Sequence, residues 1–368
     1  MSFLQFCKIL FKIKIFIKSP PKSDLIIYDR MTVTSGFANA LFKNKKYTIL
    51  DTRYESINLY ILFLCFKNFK FTNLRDSYKK LFLSTVQPKI VYTSIDNNPA
   101  FFNLKNLYSK TIYISDQNGV AKVNGQSWPN DFSVFCKKFN KKNKHKLQAD
   151  LIFVFNKNDK KQMAKFLKGN IHDLGNSKCN NFVIKKNKKK IKKIIFINSG
   201  LYKETISKEV KIFRHLNDYS KKNNIKLTML SRKDYRYEKF YRDKFGNGNW
   251  IYVPRSNSFS SYKALTVDSV IVFSHSTFGL EALAIGHKCV IILHDLAKKN
   301  MNWKHKNNGF FWTNKINYNS ISNVINKVKK IKHSEWSKRV KKISNFYLFH
   351  DPENKTKKKL IKKIINNL

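Results

Sequence analysis

The segment of residues 267–294, VDSVIVFSHSTFGLEALAIGHKCVIILH, constrains the fold more than any other stretch of the chain. It begins with a short β-branched run at 269–273 and ends with a second apolar run at 288–293, and both patterns predict buried strands. Between them, apolar residues at helical spacing extend over 278–285, and Gly286 provides a helix stop. A strand, a helix and a strand joined by short loops form a βαβ unit, which requires a parallel sheet and a right-handed crossover.

The turn between the first strand and the helix is rich in small hydroxyl side chains. Ser274, Ser276 and Thr277 lie where backbone N–H groups and the positive helix end face the carboxyl edge of the sheet, which favours an anion such as a diphosphate. Gly279 allows a ligand or a backbone to come close, and Glu281 could accept hydrogen bonds from ribose hydroxyls. Alternatively, Ser276 or Thr277 only caps the helix and Glu281 is a solvated carboxylate.

The rest of the chain alternates between apolar strands and helical segments. Further strands are predicted at 24–28, 47–50, 89–93, 111–115, 151–155, 194–197, 226–230 and 250–253. Helices are predicted around 37–42, over 57–84 as one or two helices, and at 100–108, 158–168, 203–222, 262–265 and 320–346. This alternation is typical of doubly wound α/β sheets.

Each of the first four strands ends in a polar cluster. The clusters are Asp29-Arg30, Asp51-Thr52-Arg53, Asp96-Asn97-Asn98 and Gln117-Asn118-Gly119. Because ligands bind at the carboxyl edge of open parallel sheets, four such loops on one edge predict a cleft. For any single cluster, ordinary turn chemistry is the stronger explanation, whereas the four clusters together favour a site.

The chain of 368 residues is long enough for two domains. We expect a first domain at 1–184, which begins with a basic amphipathic segment, and a second domain at 194–345. The unpatterned basic run 185–193, KKNKKKIKK, is the expected linker, and 346–368 is expected to form a basic helical tail.

The formal net charge of +50 gives a positive field that attracts anionic membranes and polyanions. Codon drift in an AT-rich genome is another source for part of this charge. Residues 1–18 mix apolar side chains with four lysines, which predicts a basic amphipathic helix on an anionic membrane, although the segment could instead pack on the domain. A nucleic-acid partner is not expected, because the basic residues are spread along the whole chain and no binding module is visible.

Five dispersed cysteines without CxxC spacing argue for a reducing compartment and against both disulfides and a zinc site. No DxD motif occurs, and the His-x-Glu at 333–335 has no following cysteine pair, so no metal is expected. No apolar run is long enough to span a bilayer. We therefore expect a cytoplasmic protein that is peripheral on the inner face of the plasma membrane.

The pattern of residues 268–291, D-x-V-I-x-x-S-x-S-T-x-G-x-E-A-L-A-x-G-x-K-x-V-I, and the two α/β halves resemble the GT-B glycosyltransferases. More narrowly, the chain resembles bacterial surface carbohydrate biosynthesis proteins, which belong with the capsule, lipopolysaccharide and teichoic-acid transferases. Supporting segments are DLIIYDR at 24–30 and the loops at 96–99, 117–119, 197–200 and 253–255. The resemblance implies two Rossmann-like domains with parallel sheets that face a cleft, and transfer of a sugar from a nucleotide sugar to a surface polysaccharide or lipid-linked glycan.

The resemblance also implies roles for individual residues in the second half. The donor would be held by Ser199, Gly200, Arg232, Arg255, Ser274, Ser276, Thr277, Gly279 and Glu281. Within this set the hydroxyl residues and Gly279 would hold the diphosphate, Glu281 the ribose, and the two arginines would neutralise the phosphates. The nucleotide sugar is a substrate, and no cofactor is implied.

The first half would bind the acceptor and supply the base that glycosyl transfer requires. The base candidates are Asp96, Asp29 and Asp116, and His275 of the donor loop is a further catalytic candidate. The acceptor-side loops comprise Arg30, Asn97, Asn98, Gln117, Asn118 and Gly119. In related phosphopolyol transferases a histidine occupies the position of Asn118, which cannot act as a base, so the mechanism of those enzymes does not transfer simply to this chain. A CDP-polyol phosphotransferase and a UDP-sugar 2-epimerase-like enzyme are the alternative functions.

Overall fold

The computed structural model describes residues 13–53, 55–68, 73–119, 136, 146–184, 190–199, 203–301 and 303–366. The chain divides into two compact units. The first comprises Met1–Asn118, Asp131–Lys178 and Asn354–Leu368, and the second comprises Gly119–Asn130 and Cys179–Glu353. Each unit contains a six-stranded sheet whose neighbouring strands pair in parallel, so the predicted α/β class with two parallel-sheet domains is confirmed.

The first unit has one large sheet and one small sheet. Its strands are β1 (Lys14–Phe16), β2 (Leu25–Tyr28), β3 (Thr48–Leu50), β4 (Ser56–Asn58), β5 (Ile90–Thr93), β6 (Ile112–Asp116), β7 (Gln148–Val154) and β8 (Lys168–Asp173). Its helices within residues 30–180 are α1 (Arg30–Thr34), α2 (Phe37–Leu41), α3 (Leu59–Lys67), α4 (Leu74–Val86), α5 (Pro99–Phe102), α6 (Leu104–Leu107), α7 (Lys157–Met163) and α8 (Ser177–Asn180).

The large sheet of the first unit has the order β3-β2-β5-β6-β7-β8, and β1 pairs with β4 outside it. Strands β2 and β5 are completely buried, as expected for parallel strands that are covered on both faces. The predicted central strands are confirmed to within a few residues, and the helical stretch 57–84 is two helices. The sequence patterns miss the short strands β1 and β4, and they miss β8, which begins where a helix over 158–168 is predicted to end.

The first strand of the second unit is β9 (Lys193–Ile197). Its further strands are β10 (Lys226–Leu230), β11 (Trp250–Val253), β12 (Ser269–Phe273), β13 (Lys288–Ile292) and β14 (Trp312–Thr313). Its helices are α9 (Lys203–Lys222), α10 (Glu238–Phe245), α11 (Ser260–Ala264), α12 (Thr277–Ile285), α13 (Asp295–Asn300), α14 (Tyr318–Lys330) and α15 (His333–Tyr347).

The sheet of the second unit has the order β11-β10-β9-β12-β13-β14, which is the strand order of a Rossmann sheet. The predicted βαβ unit is confirmed as β12, α12 and β13, and its two strands pair in parallel from Val270 with Lys288 to Phe273 with Ile291. The strand order reverses between β9 and β12, which are direct neighbours. The loops that follow these two strands therefore leave the sheet side by side, and such a switch point is where open α/β sheets bind ligands.

The final helix, α16 (Lys355–Asn366), belongs to the first unit although it follows α15 of the second. The side chain of Lys357 is fully buried and donates to Asp116 Oδ1 at 2.9 Å, to the carbonyl oxygen of Gly175 at 2.8 Å and to Ser177 Oγ at 2.8 Å. Residues 354–368 are thus an integral part of the first unit, whereas the sequence predicts a tail over 346–368. Of the predicted linker, residues 185–189 lie outside the described residues.

We expect Lys357→Ala to destabilise the protein by about 3–5 kcal/mol, because it leaves the carboxylate of Asp116 buried without its cation. The measurement is urea unfolding followed by circular dichroism. The matched control is Lys359→Ala, which removes an exposed lysine from the same helix and should change the free energy of unfolding by less than about 0.5 kcal/mol. Equal losses in the two variants would contradict the proposed role of the buried ion pair.

Candidate functional site

The switch point of the second sheet brings together the loops that follow β9, β10 and β12. The loop after β9 contains Asn198 and Ser199, the loop after β10 contains Arg232, and the loop after β12 contains Ser274. Arg232 Nη1 donates to the carbonyl oxygen of Ser199 at 3.2 Å, so the first two loops are in direct contact. The predicted donor residues Ser199, Arg232 and Ser274 therefore lie at one edge of this sheet. Gly200, which completes the loop after β9, lies outside the described residues.

The side chain of Glu209 forms hydrogen bonds with the loops that follow β9 and β12. It projects from α9 and is completely buried. Its carboxylate accepts hydrogen bonds from the backbone N–H of Ser199 at 3.1 Å and from Ser274 Oγ at 3.1 Å, and also from Ser199 Oγ and Asn198 Nδ2. The hydroxyls of Ser199 and Ser274 are therefore directed at Glu209, and their contribution to a ligand site is to fix the backbone of the two loops.

Burial raises the pKa of Glu209 to about 7, although the hydrogen bonds from Ser199 and Ser274 oppose this rise. The residue was not among the sequence-based candidates. A signal for it exists, because buried positions of α9 recur at helical spacing and Glu209 occupies one of them, between Thr205 and Ile212. A carboxylate on the buried face of a helix needs polar partners, and here the two switch-point loops supply them.

The start of α12 has the geometry that its sequence predicts. Ser276 is the N-cap residue, and its Oγ accepts a hydrogen bond from the N–H of Gly279 at 3.3 Å. A Cβ atom at position 279 would clash with the ring of Phe273. Gly279 is therefore required for the packing of α12 on β12, and ligand access is not needed to explain it. Thr277 is half-buried in the first turn, where helix N–H groups favour an anion.

Glu281 is buried within the second unit. Its Oε2 accepts a hydrogen bond from the hydroxyl of Tyr262 at 2.5 Å, and the Tyr262 ring stacks on Phe182 with centroids 4.4 Å apart. Burial, and then the charge of Glu281, raise the pKa of Tyr262, while the positive charge of Arg255 opposes this rise. Arg255 thus lies near the Tyr262–Glu281 pair, and the role of Glu281 in binding ribose stays a prediction.

Two histidines lie at the same edge of the sheet. His275 follows β12, and its ring is edge-on to that of His294 with centroids 6.1 Å apart. His294 is buried, and its Nδ1 accepts a hydrogen bond from the N–H of Ala297 at 3.2 Å. Burial, assisted by the charge of Lys208, lowers the pKa of His294 to about 4. Among the described residues, none forms a hydrogen bond with Nε2 of His294. Because Nδ1 of the neutral ring accepts, Nε2 carries the proton, so this buried nitrogen can donate to a ligand.

In the first unit, two of the three candidate bases are held in structural contacts. Asp29 is fully buried, accepts from the N–H of Met31 at 2.9 Å and forms an ion pair with Arg53 at 2.8 Å. Its φ of 73° is in the left-handed region, which is uncommon for a residue other than glycine. Asp116 is bound by Lys357, by the hydroxyl of Tyr92 at 3.0 Å and by a serine hydroxyl. We therefore assign structural roles to both aspartates.

Asp96 is in a different environment. It follows β5 and is 8% exposed, and Asp96 Oδ1 lies 3.4 Å from the backbone nitrogen of Asn118. Burial, strengthened by the charges of Asp116 and Asp159, raises the pKa of Asp96 to about 8, against the backbone hydrogen bonds that lower it. Within the described ranges, no lysine or arginine forms an ion pair with it. A carboxyl with a pKa of about 8 is largely protonated at neutral pH, but its ionised form accepts a proton more strongly than an ordinary aspartate, so Asp96 stays a candidate base.

Some of the acceptor-side loop residues form ion pairs or hydrogen bonds with the first unit, and the others are exposed. Arg30 forms a bidentate ion pair with Asp51, with nitrogen–oxygen distances of 3.1 and 2.6 Å. Asn98 caps α5. Gln117 is buried, donates to Asp159 and accepts from the N–H of Phe155, so it supports the sheet. The exposed residues are Asn97, Asn118 and Gly119.

Within the described residues, no cluster of three or more histidine, cysteine, aspartate or glutamate side chains has an arrangement that could hold a metal ion. The helices described here also include none that is both long enough and apolar enough to cross a bilayer.

Comparison with known proteins agrees with this geometry. Residues 199–365 match the model of a family described as an O-antigen biosynthesis protein. This match covers the candidate switch-point site from Ser199 onward together with α16. No curated protein matches the chain in sequence.

Solved structures match most of the chain at low sequence identity. A UDP-N-acetylglucosamine 2-epimerase from Listeria monocytogenes is 12% identical with a TM-score of 0.58, and covers 94% of this chain and 98% of its own. MnaA from S. aureus, solved with UDP, is 14% identical with a TM-score of 0.54 and the same coverages. The wall teichoic acid polymerase TagF with CDP-glycerol is 11% identical with a TM-score of 0.51, and covers 94% of this chain and 90% of its own. The chain has the GT-B fold. Its predicted similarity to surface carbohydrate biosynthesis proteins is likewise confirmed.

We expect Glu209→Gln to destabilise the protein by about 1–3 kcal/mol, because the amide places an N–H₂ group against hydrogen-bond donors. The folded-state pKa of about 7 is above the usual value, so the carboxyl's contribution to stability is complete below the unfolded-state pKa and is lost as pH rises through 7. The glutamine of the variant does not titrate, so the variant does not lose stability over this pH range. Its deficit relative to the wild type should therefore be larger in acidic than in mildly alkaline buffer.

The measurement is urea unfolding of both proteins across that pH range. The exposed carboxylate of Glu238, which pairs with Arg242 on α10, provides the control variant Glu238→Gln. Its deficit should be small and nearly independent of pH. A deficit of Glu209→Gln that stays constant with pH would show that the carboxyl does not titrate as a buried group.

Proposed function

We propose that the protein is a GT-B sugar transferase of surface-glycan biosynthesis, which binds a nucleotide sugar at the carboxyl edge of its second sheet. The observation that carries this proposal is the contact of Glu209 with both loops of the switch point. A buried carboxylate that fixes two neighbouring loops at this edge pre-organises their backbone, and pre-organisation lowers the cost of binding a ligand. The match to O-antigen biosynthesis proteins over 199–365 supports the same function.

The charges around this edge suit a diphosphate. Arg232 and Lys208 are exposed there, and Nε2 of His294 lies buried nearby. Together with the start of α12, these groups would stabilise the negative charge that develops on a leaving nucleotide. The UDP of MnaA and the CDP-glycerol of TagF both contain a nucleoside diphosphate, which is the group that we propose for this edge.

The base for the acceptor hydroxyl is Asp96 in this proposal. Asp29 and Asp116 are held in ion pairs, while the raised pKa of Asp96 makes its carboxylate a stronger proton acceptor than an ordinary aspartate. The acceptor would be a surface polysaccharide or a lipid-linked glycan, as the family match suggests.

A second candidate function is epimerisation of a nucleotide sugar, which the similarity to the Listeria UDP-N-acetylglucosamine 2-epimerase favours. The two functions differ in their need for an acceptor. Incubation with UDP-N-acetylglucosamine alone would convert the sugar to its 2-epimer only if the protein is an epimerase, and nuclear magnetic resonance of the products decides between them.

We expect a panel of UDP-, CMP-, CDP- and GDP-linked sugars to include one that raises the melting temperature of the protein, because a ligand of the folded state stabilises it. Arg232→Ala should weaken that ligand by about 10- to 100-fold in calorimetric titration, since hydrogen bonds to charged groups contribute about 1.5–3 kcal/mol. The control is Arg236→Ala, which removes an exposed arginine paired with Asp234 and should leave affinity unchanged. Equal affinity of both variants would remove Arg232 from the donor site.

The activity should also depend on the protonation of Asp96. A base must be ionised to act, so kcat/KM should rise with pH and level off above the pKa of about 8. Asp96→Asn should lower kcat by at least about 100-fold and remove this acid limb. Asp150→Asn, which changes an aspartate paired with Lys105 elsewhere in the first unit, should retain the limb. An Asp96→Asn variant with the wild-type pH profile would exclude this base.

A further inference from the structure

The first unit exposes a group of apolar side chains around β1 and α3. Strand β1 pairs in parallel with β4, α3 begins directly after β4, and α3 contacts both strands. On β1 and the residue after it, Ile15, Phe16 and Ile17 are 60%, 50% and 75% exposed. On α3, Phe63 and Phe66 are 62% and 45% exposed. Because successive side chains of a strand point to opposite faces, Phe16 lies on the other side of β1 from Ile15. We refer to Ile15, Ile17, Phe63 and Phe66, together with the exposed Leu59 and Tyr60, as the β1–α3 surface.

The exposed side chains of α3 form a stripe. Leu59, Phe63 and Phe66 follow one another at spacings of four and three residues, so they lie on one face of the helix. The opposite face, with Ile61 and Cys65, is buried. A helix that packs on a water-soluble domain normally presents polar residues on its outer face. Single exposed apolar residues are common on protein surfaces, whereas contiguous apolar patches indicate a binding surface.

The segments that form this surface carry charges of one sign, and the adjoining Glu55, whose carbonyl oxygen accepts from the N–H of Lys14, directs its carboxylate to the N–H of Arg53. The segments 13–22 and 56–68 contain Lys14, Lys18, Lys22 and Lys67 and no aspartate or glutamate. All four lysines are exposed. A second copy of the chain would bring its own lysines against them, and a nucleic acid would leave the apolar side chains without a partner. An anionic lipid surface satisfies both features, because its phosphates attract lysine and its acyl boundary accepts leucine and aromatic side chains.

We propose that the β1–α3 surface docks on an anionic lipid bilayer, with the side chains of Ile15, Ile17 and Phe63 inserted at the headgroup boundary and the four lysines on the phosphates. Strand β1 lies within residues 1–18, for which the sequence predicts an amphipathic helix, but Lys14–Phe16 is a strand, and the surface combines it with α3 of the first unit. The proposal does not depend on the donor or on the reaction, so it can fail while the proposed function holds, and the reverse is also true.

The test is co-sedimentation of the full chain with vesicles of equimolar phosphatidylglycerol and phosphatidylcholine, compared with phosphatidylcholine alone. With a net charge of +50, general attraction to anionic vesicles is expected, so binding is measured in high salt, where screening acts within about 3 Å at 1 M. The variant Ile15→Ser/Phe63→Ser should lower the partition coefficient there by at least about tenfold, because it removes the apolar area that salt does not screen.

The matched control is Val183→Ser/Ile251→Ser, which removes two exposed apolar side chains of the second unit. It should bind vesicles like the wild type. Melting temperatures and nucleotide-sugar affinity should be similar in all three proteins, which separates vesicle binding from folding and from donor binding. Equal partitioning of the two variants, or the absence of binding by the wild type, would overturn the proposal.

A labelling experiment covers the case in which the serine variant does not fold. Ile17→Cys, at the most exposed position of the surface, carries an environment-sensitive fluorophore, and Val183→Cys carries the same label as a control. A blue shift with anionic vesicles only at position 17 is the expected result. Equal shifts, or none, would overturn the proposal, as would light scattering that shows a dimer in the wild type and a monomer in Ile15→Ser/Phe63→Ser.

Discussion

The candidate site of the second unit depends on the hydrogen bonds of one buried carboxylate. The parallel strand order places the loops after β9 and β12 beside each other, but strand order alone does not fix the conformation of a loop. Glu209 does so by accepting hydrogen bonds from Asn198, Ser199 and Ser274. Because burial of an ionised carboxyl is costly without such partners, the loops and the carboxyl stabilise one another. Arg232, which we propose as a donor-binding residue, contacts one of these fixed loops through the carbonyl oxygen of Ser199.

The parts of this site that are local in sequence could be predicted. The β12–α12–β13 unit follows from apolar periodicity, and the cap at Ser276 follows from residue type, because both are determined by neighbouring residues. The roles of Ser199 and Ser274 could not be predicted in the same way. Their hydroxyls face a carboxylate on another element, and a pattern of small hydroxyl residues is the same whether its partner is a phosphate or a glutamate.

The three candidate aspartates of the first unit also show which features local sequence determines and which depend on distant contacts. Each follows or ends an apolar strand, so their local patterns are alike, and the sequence ranks them only weakly. The structure distinguishes them through distant partners: Asp29 pairs with Arg53, and Asp116 pairs with Lys357, which is 241 residues away. Burial, and then the charges of Asp116 and Asp159, raise the pKa of Asp96, where a cation would lower it. Tertiary contacts therefore distinguish the aspartates that are structural ions from the one that remains a candidate base.

The extreme charge of the chain makes its carboxylates more informative than its lysines. The sequence contains 73 lysines and arginines and only 23 aspartates and glutamates. An additional lysine on a solvated face costs little, so its position indicates little about function. A buried carboxylate is costly unless its surroundings compensate it, so its position is constrained. Asp96 and Glu209 are buried beside loops that follow strands, whereas the buried Asp29 and Asp116 are held in ion pairs. Among the described residues, the buried acids that form no ion pair therefore mark the candidate chemistry, whereas the exposed lysines are informative only where, as on the β1–α3 surface, they lie beside exposed apolar side chains.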